Sequence, residues 1–183
     1  MRRTLLVLLL VLGVVTPASV AYAAPRLPSP PRAPIFGTAI EDFAPYQPQF
    51  LCLGHVEPGV KAFEQLLLKT YPVTTSLGDM RGCGVGGTSE HKDGRAFDWG
   101  ADHRVPAQRA AGKSLLKWLF ATDVAGNEDA MFRRLGLMYV IWNKQIWGNW
   151  SHKWEPYSCS GVTDCHVNHI HFSFDWAGAR EKT

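Results

Sequence analysis

Two periods of apolar residues divide this chain into elements. Between Pro58 and Tyr71, Val60, Phe63 and Leu67 recur at helical spacing with Leu66 beside them. The segment is predicted as an amphipathic helix that Pro58 opens and Pro72 ends. Val73 to Leu77 is rich in β-branched residues and reads as a strand. Gly78 to Gly87 carries five glycines and reads as a loop. Ala96 to Trp99 is a short strand, with Ala96 and Asp98 on one face and Phe97 and Trp99 on the other. Pro106 to Thr122 is the strongest helical pattern, its buried stripe supplied by Ala110, Leu115, Trp118 and Leu119. A shorter helix is predicted over Glu128 to Leu135, with Asn127 as N-cap and Gly136 just past its end. Met138–Trp142 and Gln145–Trp147 flank Asn143-Lys144, a hairpin signal. His169 to Asp175 is the last strand. Ile170, Phe172 and Phe174 make its core face; His169, His171, Ser173 and Asp175 share the other.

Helices that come early and centrally, with strands on short links, predict an α+β domain: a small, mainly antiparallel sheet with helices packed on it. That domain is expected over residues 50–176. The stretch 24–49 is expected as a Pro-rich, extended and disordered linker through Pro34, followed by an irregular N-terminal arm that packs on the domain. Residues 177–183 read as a dispensable tail.

The first 23 residues look like an export signal. Arg2 and Arg3 precede an apolar run from Thr4 to Val15, too short for a comfortable membrane span, and Ala21-Tyr22-Ala23 fits a cleavage site. Cleavage after Ala23 predicts a secreted protein with no stable membrane anchor. The chain carries 19 Lys and Arg against 16 Asp and Glu. Loss of Arg2 and Arg3 leaves a net charge of about +1, which gives no footprint for nucleic acid. The protein is expected to be a monomer.

All four cysteines, Cys52, Cys83, Cys159 and Cys165, follow the export segment, which predicts two disulfides. Three connectivities are possible; the most local, Cys52–Cys83 with Cys159–Cys165, is favoured. The first would stabilise by about 3–4 kcal/mol in the chain-entropy model. Metal binding by cysteine has no C-x-x-C pair to support it.

The chemistry gathers in two places. His91 and Asp98 stand seven apart with Gly94 between them, where a turn can bring both side chains together. His166, His169 and His171 lie at the C-terminal end. Taken alone, an H-x-H strand is most often a solvated sheet face, His91 a loop residue and Asp98 a cap carboxylate. Jointly, two imidazoles and a carboxylate suit Zn²⁺, and three protein ligands with an open position form a catalytic zinc site.

The pattern Ser89-x-His91-x-x-Gly94-Arg95-Ala96-x-Asp98, followed by a C-terminal His-x-His strand, resembles the LAS metallopeptidases. These comprise the lysostaphin-type enzymes, the D-Ala-D-Ala metallopeptidases and the hedgehog signalling domain. His166, His169 and His171 resemble the H-x-x-H-x-H spacing of murein endopeptidases in that superfamily. Met80–Cys83, Tyr139–Asn143, Ile146-Trp147 and His171–Ser173 also resemble a family of secreted bacterial and fungal proteins, over roughly Leu51 to Trp176. The resemblance implies zinc held by His91, Asp98 and His171. It also implies His169 and His166 as the proton-handling histidines, and Arg81 as a partner for a substrate carbonyl or carboxylate. The implied activity is hydrolysis of peptidoglycan peptide bonds by metal-activated water. One departure is Asn168, which stands where D-Ala-D-Ala dipeptidases keep a catalytic Glu; this weakens a dipeptidase reading. Glu90, Glu155 and Asp164 read as exposed carboxylates. Trp150 and Trp154 are candidates to line a groove for glycan or peptide, whereas Trp142 and Trp147 read as core residues that pair across the hairpin. His55, His103 and His152 read as surface residues. The competing expectations are a non-catalytic zinc-binding module and a disulfide-braced domain without metal.

Overall fold

The computed structural model describes residues 26–183, so the expected export signal at 1–23 lies outside the described residues. Among the described residues no helix is long and apolar enough to cross a membrane. The helices are α1 (Pro58–Thr70), α2 (Pro106–Leu119), α3 (Ala130–Arg134), α4 (Gly161–Asp164) and α5 (Trp176–Ala179). The strands are β1 (Thr75–Gly78), β2 (Ala96–Gly100), β3 (Leu137–Trp142), β4 (Gln145–Gly148), β5 (Trp154–Pro156) and β6 (Ile170–Phe174). The strands form one sheet in the order β1-β2-β6-β3-β4-β5 with every pairing antiparallel. This is the α+β class that the pattern predicts, and it sets the last strand, β6, between β2 and β3 in the interior of the sheet.

Register divides the sheet into two faces. One cross-strand row runs Phe97, Phe172, Val140, Trp147, Trp154. It packs under α1 and α2, where Phe63 meets Phe172 and Phe174 edge-on at 5.1 and 5.5 Å. The neighbouring row, Asp98, His171, Ile141, Ile146, Glu155, faces the other way. A period of two along each strand therefore separates apolar packing from chemistry.

Helix α1 buries Val60, Phe63 and Leu67 as expected, together with Glu64, which pairs with Lys61. Helix α2 ends at Leu119, not Thr122, and is rotated from the predicted stripe: Ala111, Gly112 and Ser114 are buried where Ala110 and Trp118 were expected. A count of apolar residues misses this because the buried polar member is satisfied. Ser114 Oγ lies 3.0 Å from the Tyr71 hydroxyl and donates to Pro28 O at 2.7 Å. The same bond corrects the disordered-linker expectation, since it ties the chain at Pro28 to α2. Arm residues 35–49 are irregular and mostly exposed, tied to the domain through their carbonyls and with Ala44 buried.

Gly112 admits the Trp142 ring. A Cβ there would lie 2.7 Å from Trp142 Cη2, and the indole is pinned by its 3.0 Å bond to Ala101 O. Gly112→Ala is therefore expected to destabilise by about 1–2 kcal/mol in urea unfolding, although alanine favours a helix interior by about 1 kcal/mol.

Other boundaries shift for local reasons. Strand β1 begins at Thr75, leaving Val73 exposed. Helix α3 begins two residues late because Asn127 bonds Asp123 instead of capping it. Gly136 ends that helix at φ +63°, as predicted. Asn143 and Lys144, at φ 47° and 66°, make the hairpin turn. Trp142 opposes Gln145 and Trp147 opposes Val140, so the two indoles do not face each other across the hairpin. The C-terminal stretch is no loose tail: α5 is capped by Asp175 at 2.7 Å, and Ala179 belongs to the core. Both disulfides follow the most local pairing, Cys52–Cys83 and Cys159–Cys165.

Candidate metal centre

The stretch before β2 is a coil of tight turns. Lys92 N bonds Ser89 O, Asp93 N bonds Glu90 O, and Gly94 N bonds His91 O at 2.9, 3.1 and 3.3 Å. Gly94 at φ +67° accepts from Glu57 N at 2.9 Å, and a Cβ there would collide with the backbone of His55 and Val56. Below it lies a wholly buried ion pair. Arg95 Nη2 donates to Asp93 Oδ2 at 2.8 Å, and Arg95 also donates to Phe174 O at 2.6 Å and Gln47 O at 2.9 Å. Asp93 Oδ1 accepts from Leu51 N at 2.8 Å. The pair ties the His91 turn to β6 and to the N-terminal arm.

Pairing of β2 with β6 sets Asp98 directly opposite His171, and the turn delivers His91 to the same point. His171 Nδ1 lies 2.8 Å from Asp98 Oδ1, His91 Nε2 lies 3.2 Å from that oxygen, and the two nitrogens are 3.3 Å apart. Ligands about 2.0–2.1 Å from a tetrahedral zinc sit about 3.3 Å from one another. The three atoms thus have nearly the spacing of one face of such a site, and His91, Asp98 and His171 form a group that could hold a metal ion. Ser173 Oγ, 2.9 Å from His171 Nε2, fixes the far side of that ring, as partners of metal-bound imidazoles do. The Tyr139 ring stacks on the same imidazole at 5.5 Å. Among the described residues, His91 Nδ1 is buried with no hydrogen-bond partner.

The other two histidines border this group. His169 Nε2 lies 3.5 Å from Asp98 Oδ1, with its Nδ1 3.0 Å from Asn168 Oδ1. The His166 ring is 4.6 Å from that of His169 and 5.6 Å from that of His171. Asp98, His166, His169 and His171 open onto a cavity of about 510 Å³ whose walls also include Arg81, Glu90, Tyr139, Tyr157 and Asp164. A more apolar hollow of about 500 Å³ lies against Phe36, Trp118 and Met131. Its charged residues, Asp123 and Arg134, pair with each other at 2.9 Å, so it offers no comparable donor set.

Burial pushes the Asp98 carboxyl upward, but hydrogen bonds from His169, His171 and His91 outweigh it and hold the group well below the usual carboxylate range. Burial, then the charges of His171 and His169, lowers His166 to about 4; burial likewise lowers His171. In the unfolded chain an imidazole titrates near 6.5, so on acidification the unfolded state binds the proton first. The His166 contribution is whole above about pH 6.5 and is lost as pH falls toward 4. Metal-free protein should therefore lose stability across that window, and His166→Gln should flatten the slope in denaturant titrations at stepped pH.

Of the residues predicted from sequence, Asp98, His171, His169, His166 and Arg81 line one cavity, and His91, itself buried, meets Asp98 and His171 beside it. Trp150 stands outside it, 53% exposed, beside Tyr139 and Tyr46 at 6.0 and 6.1 Å. Trp154 is corrected: it lies opposite Trp147 on the core face and packs near Phe120, away from the cavity. Glu90 is corrected as well. It is 5% exposed and accepts the Tyr139 hydroxyl at 2.7 Å. Tyr139 and Ser173 were not singled out. Ser173 shares the predicted alternation of β6, but Tyr139 reaches the site only through the β3–β6 pairing, which no local pattern displays.

A family model described as VldE, C-terminal domain, matches residues 52–170. The matched stretch holds His91, Asp98, His166 and His169 and ends one residue before His171. No curated protein and no solved structure matches the chain. None of these comparisons links it to the LAS peptidases, whose likeness rests on the motifs. With more than half of its residues matched, the chain belongs to the VldE C-terminal domain family.

Proposed function

We propose that the protein is a secreted zinc-dependent peptidase that hydrolyses peptide bonds of cell-wall peptidoglycan. The observation that carries this reading is the convergence of His91, Asp98 and His171 beside a polar cavity, together with two further histidines. The motif likeness to the LAS peptidases supports it. Two disulfides are consistent with export. Zinc held by the three residues would supply Lewis acidity toward a carbonyl and an activated water.

The chain's own groups then divide the work. His169, near Asp98 and oriented through Asn168, takes a proton from the attacking water and returns it to the leaving amine. His166, uncharged at neutral pH, is the second candidate for that role. Arg81, on the cavity wall, meets charge developing on the carbonyl oxygen or a substrate carboxylate. Trp150 offers an exposed aromatic face beyond the rim.

A second reading is a zinc-binding module that binds cell-wall peptide or glycan without cutting it; Asn168, in place of a catalytic Glu, favours it. Metal analysis and release of soluble fragments from purified peptidoglycan test both. The peptidase reading expects one zinc per chain, metal-dependent release, and loss of both in His91→Ala. Zinc with no release selects the binding module; no zinc at all removes both.

A further inference from the structure

Glu90 is unlike the other acids of the cavity. Asp98 faces three imidazoles, and Asp164 is exposed and accepts from Ser160 N at 2.8 Å. Glu90 is 95% withdrawn from solvent yet lines the cavity wall. Among the described residues it has no ion-pair partner. The cations nearest in sequence are committed elsewhere. Lys92 Nζ reaches back to Gly86 O at 3.3 Å, and Arg95 is consumed by Asp93 and main-chain carbonyls. The Glu90 carboxylate accepts from the Tyr139 hydroxyl at Oε2, and the Tyr46 hydroxyl also lies within hydrogen-bonding reach of it, so the donors that meet it are neutral phenols. The Tyr139 ring is fixed against His171, so its bond holds the carboxylate at a set distance from the metal group.

A buried carboxylate without a cation is costly, and sites retain such groups where a ligand supplies the missing charge. We propose that Glu90 is a specificity residue that receives a primary ammonium of the ligand, so that the cavity selects peptides carrying a free amine close to the bond or group held at the metal centre. Arg81, which makes no side-chain bond among the described residues, lies on the same wall and leaves room for an anionic group on the same ligand. Acetylation of the amine removes its charge and adds bulk, leaving Glu90 unpaired. A site built around a substrate N–H rejects such analogues strongly.

This inference rests on the cell-wall-peptide reading but not on hydrolysis. The test is co-sedimentation of zinc-loaded protein with insoluble peptidoglycan, either untreated or treated with acetic anhydride to block its free amines. Wild type should bind the untreated wall at least about tenfold more tightly, and Glu90→Gln should reduce that preference to within about twofold while keeping one zinc per chain. Glu90→Asp should restore part of it, which a general loss of fold would not allow. Equal binding of the two walls by wild type, at any level including none, overturns the proposal, as does an undiminished preference in Glu90→Gln. If Glu90→Gln fails to fold, the wild-type comparison still decides. Selective binding without fragment release would leave the inference standing and remove the peptidase reading instead.

Discussion

Arg95→Ala should lower stability by about 3–5 kcal/mol, far more than loss of a surface ion pair. The reason is the inventory of groups that the guanidinium serves. Both members of the pair are fully buried, so truncation leaves the Asp93 carboxylate in the interior with the Leu51 N–H as its remaining donor. The carbonyls of Phe174 and Gln47 lose their donors in the same step, and the Trp176 ring loses the cation 4.5 Å above it. Arg95→Lys should recover little, because one ammonium cannot reach acceptors on the turn, on β6 and on the arm together. The comparison is Arg104→Ala, whose pair with Asp102 has an arginine 57% exposed; a change of about 0–1 kcal/mol is expected there. Urea unfolding of the metal-free proteins measures both. Zinc affinity should fall with Arg95 too, since the pair anchors the turn that carries His91. A loss below about 1 kcal/mol would mean that the turn is held by its backbone bonds alone.

What could be read from the sequence follows from how local each signal is. Alternation along β6 gave both the core face and the histidine face because one strand displays them within seven residues. The turn at Gly94 was legible because the glycine stands midway between His91 and Asp98. Partners that depend on pairing between distant strands were not. Tyr139 meets His171 through the β3–β6 register, and Trp154 faces the core because that register propagates through β4 to β5. Glu90 was misjudged for a related reason: a carboxylate in a glycine-rich, polar stretch reads as exposed until the phenol of Tyr139 is known to cover it. Helix α2 shows the same limit, since Ser114 became a core residue only when Tyr71 and Pro28 arrived to satisfy it.

Asp98→Asn is the sharpest test of the metal centre, because it keeps size and removes charge. It should weaken zinc binding by more than about 100-fold, whereas Ser173→Ala, which only frees the far side of His171, should cost about 10–100-fold. Competition against a chromophoric chelator resolves that range, and fragment release from peptidoglycan should fall with occupancy. The metal-free protein adds a second readout. The Asp98 carboxyl is held low in the folded state by three imidazoles, so its contribution to stability is present above about pH 4 and is lost as pH falls further. Asp98→Asn should remove that acid-side slope while steepening the one below pH 6.5, because the Asp98 charge raises the pKa of both His166 and His171. The two readouts separate two accounts of the same geometry. Three imidazoles around one carboxylate could be a hydrogen-bonded network that braces β2 against β6. In that case the acid slope would change and zinc affinity would not. A metal centre requires both to move, because one oxygen serves as hydrogen-bond acceptor in the empty site and as donor atom to the cation in the filled one.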